Sequence, residues 1–598
     1  MKKTVLALTA AFISAVCAAR DPYVGYIYPS GIQAGTTNRF IVGGQKMWHL
    51  RGLHFGCTGL RVLKIERVPS LQPPTGMQRK HLKNWLDGIA KGVKTEPPKP
   101  DDPHISEWRS NEWYQALGTL PPIEIAIVER YLFVPRNLLQ SAPSLSQMTI
   151  VTIAADQNAK PGVYDVSAWN DAGISIPRPF VVTAQQHRKE SLYVPPHRKQ
   201  PELSSADATL SGVVLDGQIM PGEIDAFNVR LSGGKRYQVK VTARELQPYI
   251  GDAVPGFFNP AIVVRDESDR ILAKIDDTDR FRPDPCFDFK PPLPGVYKFE
   301  IHDVLFRGRA DFVYSISVIP YTEVDCSAFG KEKKSDVSSD GVLSFSGVVG
   351  KAGEVCRKEF TVDKPGTRVF RVSARREGSP LDAVLVLKKA SGGKPLAQWD
   401  DVTNKYFVGT VPQGECDPEG EYEFASPGRY VAEIADRTGH GGDGYFWNLE
   451  VSALRPDFEV YSTRSTLPLF RGRSLKVDFV INRKDGFEGP VTLLFPKDVK
   501  AHHNTATSGV DRISATITYV GAKPVELSDV KILARGKIKG KMEIRDVMPC
   551  NEHEQAFAWK HLVPAKSFVM RATPPKFIPK KQQNKKPRKQ QGGKPGKK

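Results

Sequence analysis

The residues able to do chemistry form one conspicuous group. Asp276, Asp277, Asp279, Asp284 and Asp288 fall within thirteen residues, and Asp400, Asp401, Asp417 and Glu419 occupy a related stretch further on. Calcium takes six to eight hard oxygen ligands, and carboxylates in a turn-rich loop can supply them. Arg280 and Arg282 interrupt the first group and offer the same carboxylates ion pairs. Asp is also a turn former. The residue balance favours ion pairs and turns over calcium at Asp276, Asp277, Asp279, Asp284 and Asp288.

Enzyme chemistry has little to stand on. His553-Glu554 opens like a zinc-protease helix, but Phe557 stands where the second histidine must be. There is no Gly-x-Ser-x-Gly elbow and no phosphate loop ending in Lys-Ser or Lys-Thr. The doublet His502-His503 would send its rings to opposite faces of a strand. The chain therefore reads as non-catalytic, with no cofactor beyond the calcium weighed above.

The termini carry a different message. Lys2 and Lys3 precede an apolar stretch from Thr4 to Val16 and the small residues Ala18-Ala19. That is the pattern of a cleaved signal peptide, residues 1–19, too short to span a bilayer. Val16 departs from a lipoprotein signal at Cys17. Residues 576–598 hold ten Lys or Arg and no acid, about half of the net charge of +19. With Pro, Gln and Gly between them they read as a disordered tail, 574–598. Lys580, Lys581, Lys585, Lys586, Arg588 and Lys589 are its candidate polyanion contacts, with a steep salt dependence. In an exported protein the polyanions are acidic envelope polymers, not specific nucleic acid.

The elements that must carry these residues are strands. The chain has 598 residues, 47 prolines and 50 glycines, which points to about four domains built of short strands and turns. Tyr26-Ile-Tyr-Pro-Ser-Gly, Phe40-Ile-Val-Gly-Gly and Pro161-Gly-Val-Tyr-Asp-Val-Ser-Ala place an immunoglobulin-like sandwich over 20–184. Helical spacing of Leu82, Trp85, Leu86 and Ile89, with a weaker patch at Trp108 and Trp113, predicts a helical insertion at about 76–118. A linker over 185–204 follows.

An internal repeat then dominates. Leu210-Ser-Gly-Val-Val matches Phe345-Ser-Gly-Val-Val, and Leu272-Ala-Lys-Ile-Asp-Asp matches Leu396-Ala-Gln-Trp-Asp-Asp. Pro294-Gly-Val-Tyr-Lys-Phe-Glu-Ile-His-Asp matches Pro427-Gly-Arg-Tyr-Val-Ala-Glu-Ile-Ala-Asp. One sandwich is thus expected twice, over 205–320 and 339–454, joined by a linker at 321–338. Strand-like runs at Leu475–Ile481, Val491–Phe495 and Ile513–Tyr519 place a last β-sandwich over 455–573. Tyr249, Phe257, Phe258, Trp399, Tyr445 and Trp447 are expected mainly in cores. Six cysteines remain in the mature chain without a Cys-x-x-Cys pair, and Cys326 with Cys356 is the first disulfide to test.

These stretches resemble a family. Gly217-Gln-Ile-Met-Pro-Gly-Glu-Ile-Asp, Phe281-Arg-Pro-Asp-Pro and Ile301-His-Asp-Val-Leu-Phe-Arg-Gly-Arg-Ala-Asp-Phe-Val-Tyr resemble bacterial pre-peptidase C-terminal domains. The second repeat is a divergent copy, and the N-terminal domain is similar to TIG-type immunoglobulin-like modules. The resemblance implies jelly-roll-like binding modules without catalytic residues. The expected function is therefore recognition or scaffolding at the periplasm or cell surface. Partners would be envelope polysaccharide, acidic envelope polymers or extracellular proteins. The alternative is an accessory component of an extracellular hydrolase (peptidase) system, with a hydrolytic site of its own.

Overall fold

The computed structural model describes residues 21–47, 50–67, 80, 83–88, 143–190, 208–247, 257–276, 284–320, 342–377, 379–401, 417–442, 444–470, 472–555 and 559–574. The expected signal peptide, the basic tail and most of the expected insertion lie outside the described residues. Within that insertion, residues 83–88 are helical and bury Trp85 and Leu86.

The rest is β-structure in tandem sandwiches. The first pairs a sheet of Tyr23–Tyr28, Thr37–Gln45, Gln147–Ala155 and Leu60–Arg67 with one of Gly31–Gln33, Arg178–Thr183, Gly162–Trp169 and Gly52–Phe55. Phe40, Val151, Val166 and Phe180 alternate inward from the two sheets and close its core. The edge strand Tyr23–Tyr28 shifts register beside Gly43 and Gly44. A Cβ on Gly44 would lie 1.8 Å from the Tyr23 carbonyl, so the paired glycines are a packing requirement.

The two repeats share one topology. In the first, Asp225–Leu231, Gly295–Asp303, Pro260–Arg265 and Ile271–Ile275 lie side by side. In the second, Val355–Val362, Gly428–Asp436, Ala383–Lys389 and Ala397–Trp399 follow the same order. The opposing sheets also correspond: Cys286–Phe289, Tyr237–Thr242, Val313–Pro320 and Val214–Gln218 against Glu419–Phe424, Gly366–Ser373, Phe446–Ala453 and Leu343–Val348. His187–Lys189, within the segment read as linker, adds a parallel strand beside Val214–Gln218.

The motif Pro-Gly-x-Tyr recurs in all three sandwiches for one reason. Tyr164, Tyr297 and Tyr430 each donate a hydroxyl hydrogen to the carbonyl four residues back: Lys160 at 2.9 Å, Leu293 at 2.6 Å and Ser426 at 3.3 Å. The Pro-Gly turn brings the ring back over its own corner, as tyrosine corners do in immunoglobulin-like sandwiches.

The fourth unit is larger. An eight-stranded sheet, with Leu475–Lys484, Asp457–Ser462 and Lys541–Met548 at its centre, packs Phe458, Phe479 and Ile517 into the core shared with Leu467, Phe568 and Met570. A hairpin of Cys550–Gln555 and Trp559–Pro564 covers Tyr461 and Val480 on the outer face.

Candidate functional site

Among the described residues, one group of carboxylates converges: Asp382, Asp400 and Asp401 of the second repeat, with oxygens within 4.8 Å of one another. Asp382 was not singled out in the sequence, because it lies just before the strand Ala383–Lys389, eighteen residues ahead of Asp400. Burial and then the neighbouring acids push the Asp401 carboxyl up. Asp382 also rises through burial, although Arg375 partly offsets it. Arg437 bonds Asp400 at 2.8 Å.

In the first repeat the corresponding residues are used differently. Asp284 is buried and accepts from the Ala243 and Arg244 amides, both at 2.9 Å. Burial still pushes its carboxyl up to about 6. Asp288 pairs with Arg236 at 2.9 Å, and Asp276 is exposed. Asp277 and Asp279 lie outside the described residues. The second-repeat counterpart of Asp284 is Asp417, which accepts from the Arg375 amide at 2.8 Å.

The aromatic residues fall largely into cores. Phe258 stacks on Phe312, Trp399 stacks on Phe370 with centroids 5.1 Å apart, and Trp447 is fully buried. Tyr249 lies outside the described residues. His502 and His503 are exposed, the latter at a left-handed turn position with φ 57°. Cys57, Cys356 and Cys550 have free thiols, and Cys326 lies outside the described residues.

Two constellations invisible in the sequence join the first sandwich to its neighbours. Ser30 donates to Asp216 Oδ1 at 2.8 Å, and His187 Nδ1 meets Asp216 Oδ2 at 2.6 Å. Thr183 gives its hydroxyl hydrogen to the Gln185 carbonyl, and its oxygen lies 2.9 Å from His187 Nε2. Serine, histidine and aspartate are thus assembled, but the aspartate lies between the other two and Ser30 gives its hydroxyl hydrogen to Asp216 rather than to the ring. A nucleophile needs its hydroxyl on an accepting histidine nitrogen. Asp216 and Ser30 are buried, and the cluster is a strut between the first and second sandwiches.

The other joint connects the first sandwich to the fourth. The Arg571 guanidinium lies 4.8 Å over Trp169 and 5.5 Å from Phe470, and donates to the Asn170 carbonyl. Arg464 pairs with Asp21, His54 meets Asp529 at 3.2 Å, and the Lys566 amide donates to Asp165 at 2.6 Å. Burial raises the Asp165 carboxyl, and the Lys566 amide works against that rise. His553 and His561 face each other across the outer hairpin, both buried. Burial, then the positive field of Arg178, pulls His553 down to about 3.

At this joint the surface opens into a cleft of about 850 Å³. Its lining mixes apolar Phe470, Pro524, Pro574 and Ala172 with Asp171, Arg473 and Arg571. It combines surfaces from two sandwiches, so no single stretch of sequence announces it. The arrangement suits capture of an apolar group with polar contacts beside it.

No family model matches the chain, and no curated protein matches it. Among solved structures, fibronectin(III)-like modules of Clostridium thermocellum CbhA match at 14% identity, over 34% of this chain and 92% of theirs, with TM-score 0.11. A DUF4785 family protein from Legionella pneumophila matches at 12% identity, over 38% and 68%, with TM-score 0.12. The N-terminal four Ig domains of Dscam1 isoform 4.4 match at 11% identity, over 67% and 84%, with TM-score 0.11. At these scores none of them carries an argument about function. Among the described residues, no helix is long and apolar enough to cross a membrane.

Proposed function

We propose that the chain is an exported, non-catalytic binding and scaffolding protein acting at the periplasm or cell surface. Its two central repeats would be modules of the pre-peptidase C-terminal type. The observation that carries this reading is the cleft between two sandwiches, whose lining combines apolar residues with Asp171, Arg473 and Arg571. The histidine, serine and aspartate that could have served hydrolysis are instead spent on the joint at Asp216. The ligands proposed are envelope polysaccharide, acidic envelope polymers or extracellular proteins, with residues 576–598 adding salt-sensitive attraction to polyanions.

Calcium at the Asp276–Asp288 loop is a subsidiary proposal. Asp284 and Asp288 already hold the Ala243 and Arg244 amides and Arg236, which an ion bound through them would have to displace. Calorimetric titration of the apo-protein with calcium tests it, and absence of binding at millimolar calcium rejects it.

The main reading is tested by co-sedimentation of the mature chain with isolated envelope material at low and high salt. The comparison uses the tail-deleted chain and a Phe470→Asp variant. Pelleting of the tail-deleted chain at high salt, lost in Phe470→Asp, supports recognition through the cleft. Pelleting that needs the tail and vanishes with salt rejects it.

A further inference from the structure

The strands Leu533–Ile538 and Lys541–Met548 of the fourth unit form a hairpin whose two faces are unlike. Its turn is Lys539 and Gly540, both left-handed at φ 46° and φ 86°, the backbone of a tight two-residue hairpin. That turn fixes the register: Arg535 lies opposite Ile544 and Lys537 opposite Met542. Directly opposed residues share a face, so these four stand together on the outer one. The intervening residues face the core. Ala534 is fully buried there, and a Cβ on Gly536 would come 2.6 Å from the Phe458 ring. The inner face is packed too closely for the outer side chains to turn inward.

The two faces also treat charge differently. At inner-face positions Lys541 pairs with Glu543 at 3.2 Å and Arg545 with Asp457 at 3.1 Å. On the outer face Asp546 lies 3.8 Å from Lys531. Arg535 and Lys537, with Lys539 at the turn, are exposed and have no carboxylate partner among the described residues. Beside them apolar side chains stand in the open. Met542 and Ile544 are each 52% exposed, and Met548 further along the strand is 43% exposed. The neighbouring strands stop short of this end. Val491–Leu494 pairs only as far as Gly536, and Asp457–Ser462 meets the hairpin only at Val547 and Met548. From Lys537 to Ile544 the two strands pair only with each other.

We propose that this hairpin docks the protein onto a bilayer surface of anionic lipid. The inference rests on the chain acting at the envelope and is independent of the cleft. Cations without a carboxylate select a negative partner, and a lipid surface offers negative headgroups with acyl chains directly beneath them. Met542 and Ile544 enter that boundary while Arg535, Lys537 and Lys539 hold the headgroups. Long cationic side chains suit this, because their stems lie along apolar surface while the charge stays in the polar layer. A soluble acidic polysaccharide satisfies the cations but leaves Met542 and Ile544 in water. A second copy presenting the same face sets like charges against each other. Only an anionic amphiphile uses both halves of the patch.

Vesicle flotation tests this, with the mature chain and with the tail-deleted chain, on phosphatidylcholine and on equimolar phosphatidylcholine and phosphatidylglycerol. Both chains should bind the anionic vesicles at least about tenfold more strongly than the neutral ones. Met542→Ser with Ile544→Thr keeps every charge and a strand-compatible residue at Ile544. It should weaken anionic-vesicle binding by the tail-deleted chain at least about tenfold with no fall in thermal midpoint. Arg535→Gln with Lys537→Gln should weaken it by a similar factor. Tail-deleted chains that bind alike with and without the Met542 and Ile544 substitutions overturn the proposal, as does equal binding to neutral and anionic vesicles. Polygalacturonate binding as tight as anionic-vesicle binding, and unchanged by those substitutions, overturns it in favour of an acidic glycan. Self-association in place of vesicle binding, abolished by the same substitutions, overturns it in favour of a second copy. Phe470→Asp should float as wild type does, which separates failure of the cleft reading from failure of this one. Vesicle binding lost in Phe470→Asp overturns the assignment to the hairpin.

Discussion

His553 shows how burial turns an ordinary side chain into a pH liability. Its ring is held neutral in the fold, with its pKa pulled down to about 3. The unfolded chain takes up a proton near 6.5, so stability is full above that pH and declines as pH falls toward 3. Between pH 7 and pH 5 this one group should cost about 2 kcal/mol. Denaturant unfolding at the two pH values should show a smaller difference in His553→Gln than in wild type. An equal difference would mean that the proton uptake lies elsewhere. Cys550 is the parallel case for reactivity. Burial pushes its thiol up to about 12, so it should resist alkylation until the hairpin opens. Modification of native Cys550 as fast as a small thiol would contradict the packing described.

The tyrosine corner belongs to the scale of the element, where a single hydroxyl fixes the entry to a long strand. Tyr297→Phe removes the donor to the Leu293 carbonyl and keeps the ring in the core. The expected cost is about 1 kcal/mol, read as a lower unfolding midpoint for the first repeat. Asp303 is a heavier element-scale residue. It is fully buried and holds Asn259, Leu305 and Arg307 together, so Asp303→Ala should cost at least about 3 kcal/mol by leaving those donors without an acceptor. Hydrogen exchange should then rise at the Leu305 and Arg307 amides before the sheet itself opens. These corners and loops recur because the same turn must deliver the same strand in each copy.

At the scale of the whole molecule, the first sandwich is held on two sides, by the strut at Asp216 and by Arg571. Arg571→Ala removes the Trp169 and Phe470 stacks together with the donor to Asn170, at about 2 kcal/mol. Its expected effect is geometric: the cleft loosens, and small-angle scattering reports a larger radius of gyration while each sandwich keeps its own unfolding transition. An unchanged radius would assign the joint to Arg464, His54 and Lys566 instead. Tandem domains commonly move about their linkers by default, so these polar joints make a site between domains feasible.

Much of the architecture is local in origin and was legible from residues alone. Alternating apolar residues behind Pro-Gly turns specify half-buried strands, and the repeated Pro-Gly-x-Tyr and Asp signatures specify one sandwich used twice. The mostly β class, the repeat and the core placement of Phe258 and Trp447 follow from that periodicity. The site does not. Asp382 joins Asp400 and Asp401 only because two strands meet at one end of a sheet, and Asp284 is held by amides forty residues away. His187 reads as part of a basic linker until a parallel pairing carries it onto Asp216. Met542 and Ile544 read as two apolar residues in a basic run until the hairpin sets them outward beside Lys537 and Arg535. Sequence by itself determined the strands, their repetition and their cores, because those depend on neighbours in the chain. Tertiary structure decided which charges cancel and which apolar surface is left over, because both depend on residues brought together across hundreds of positions.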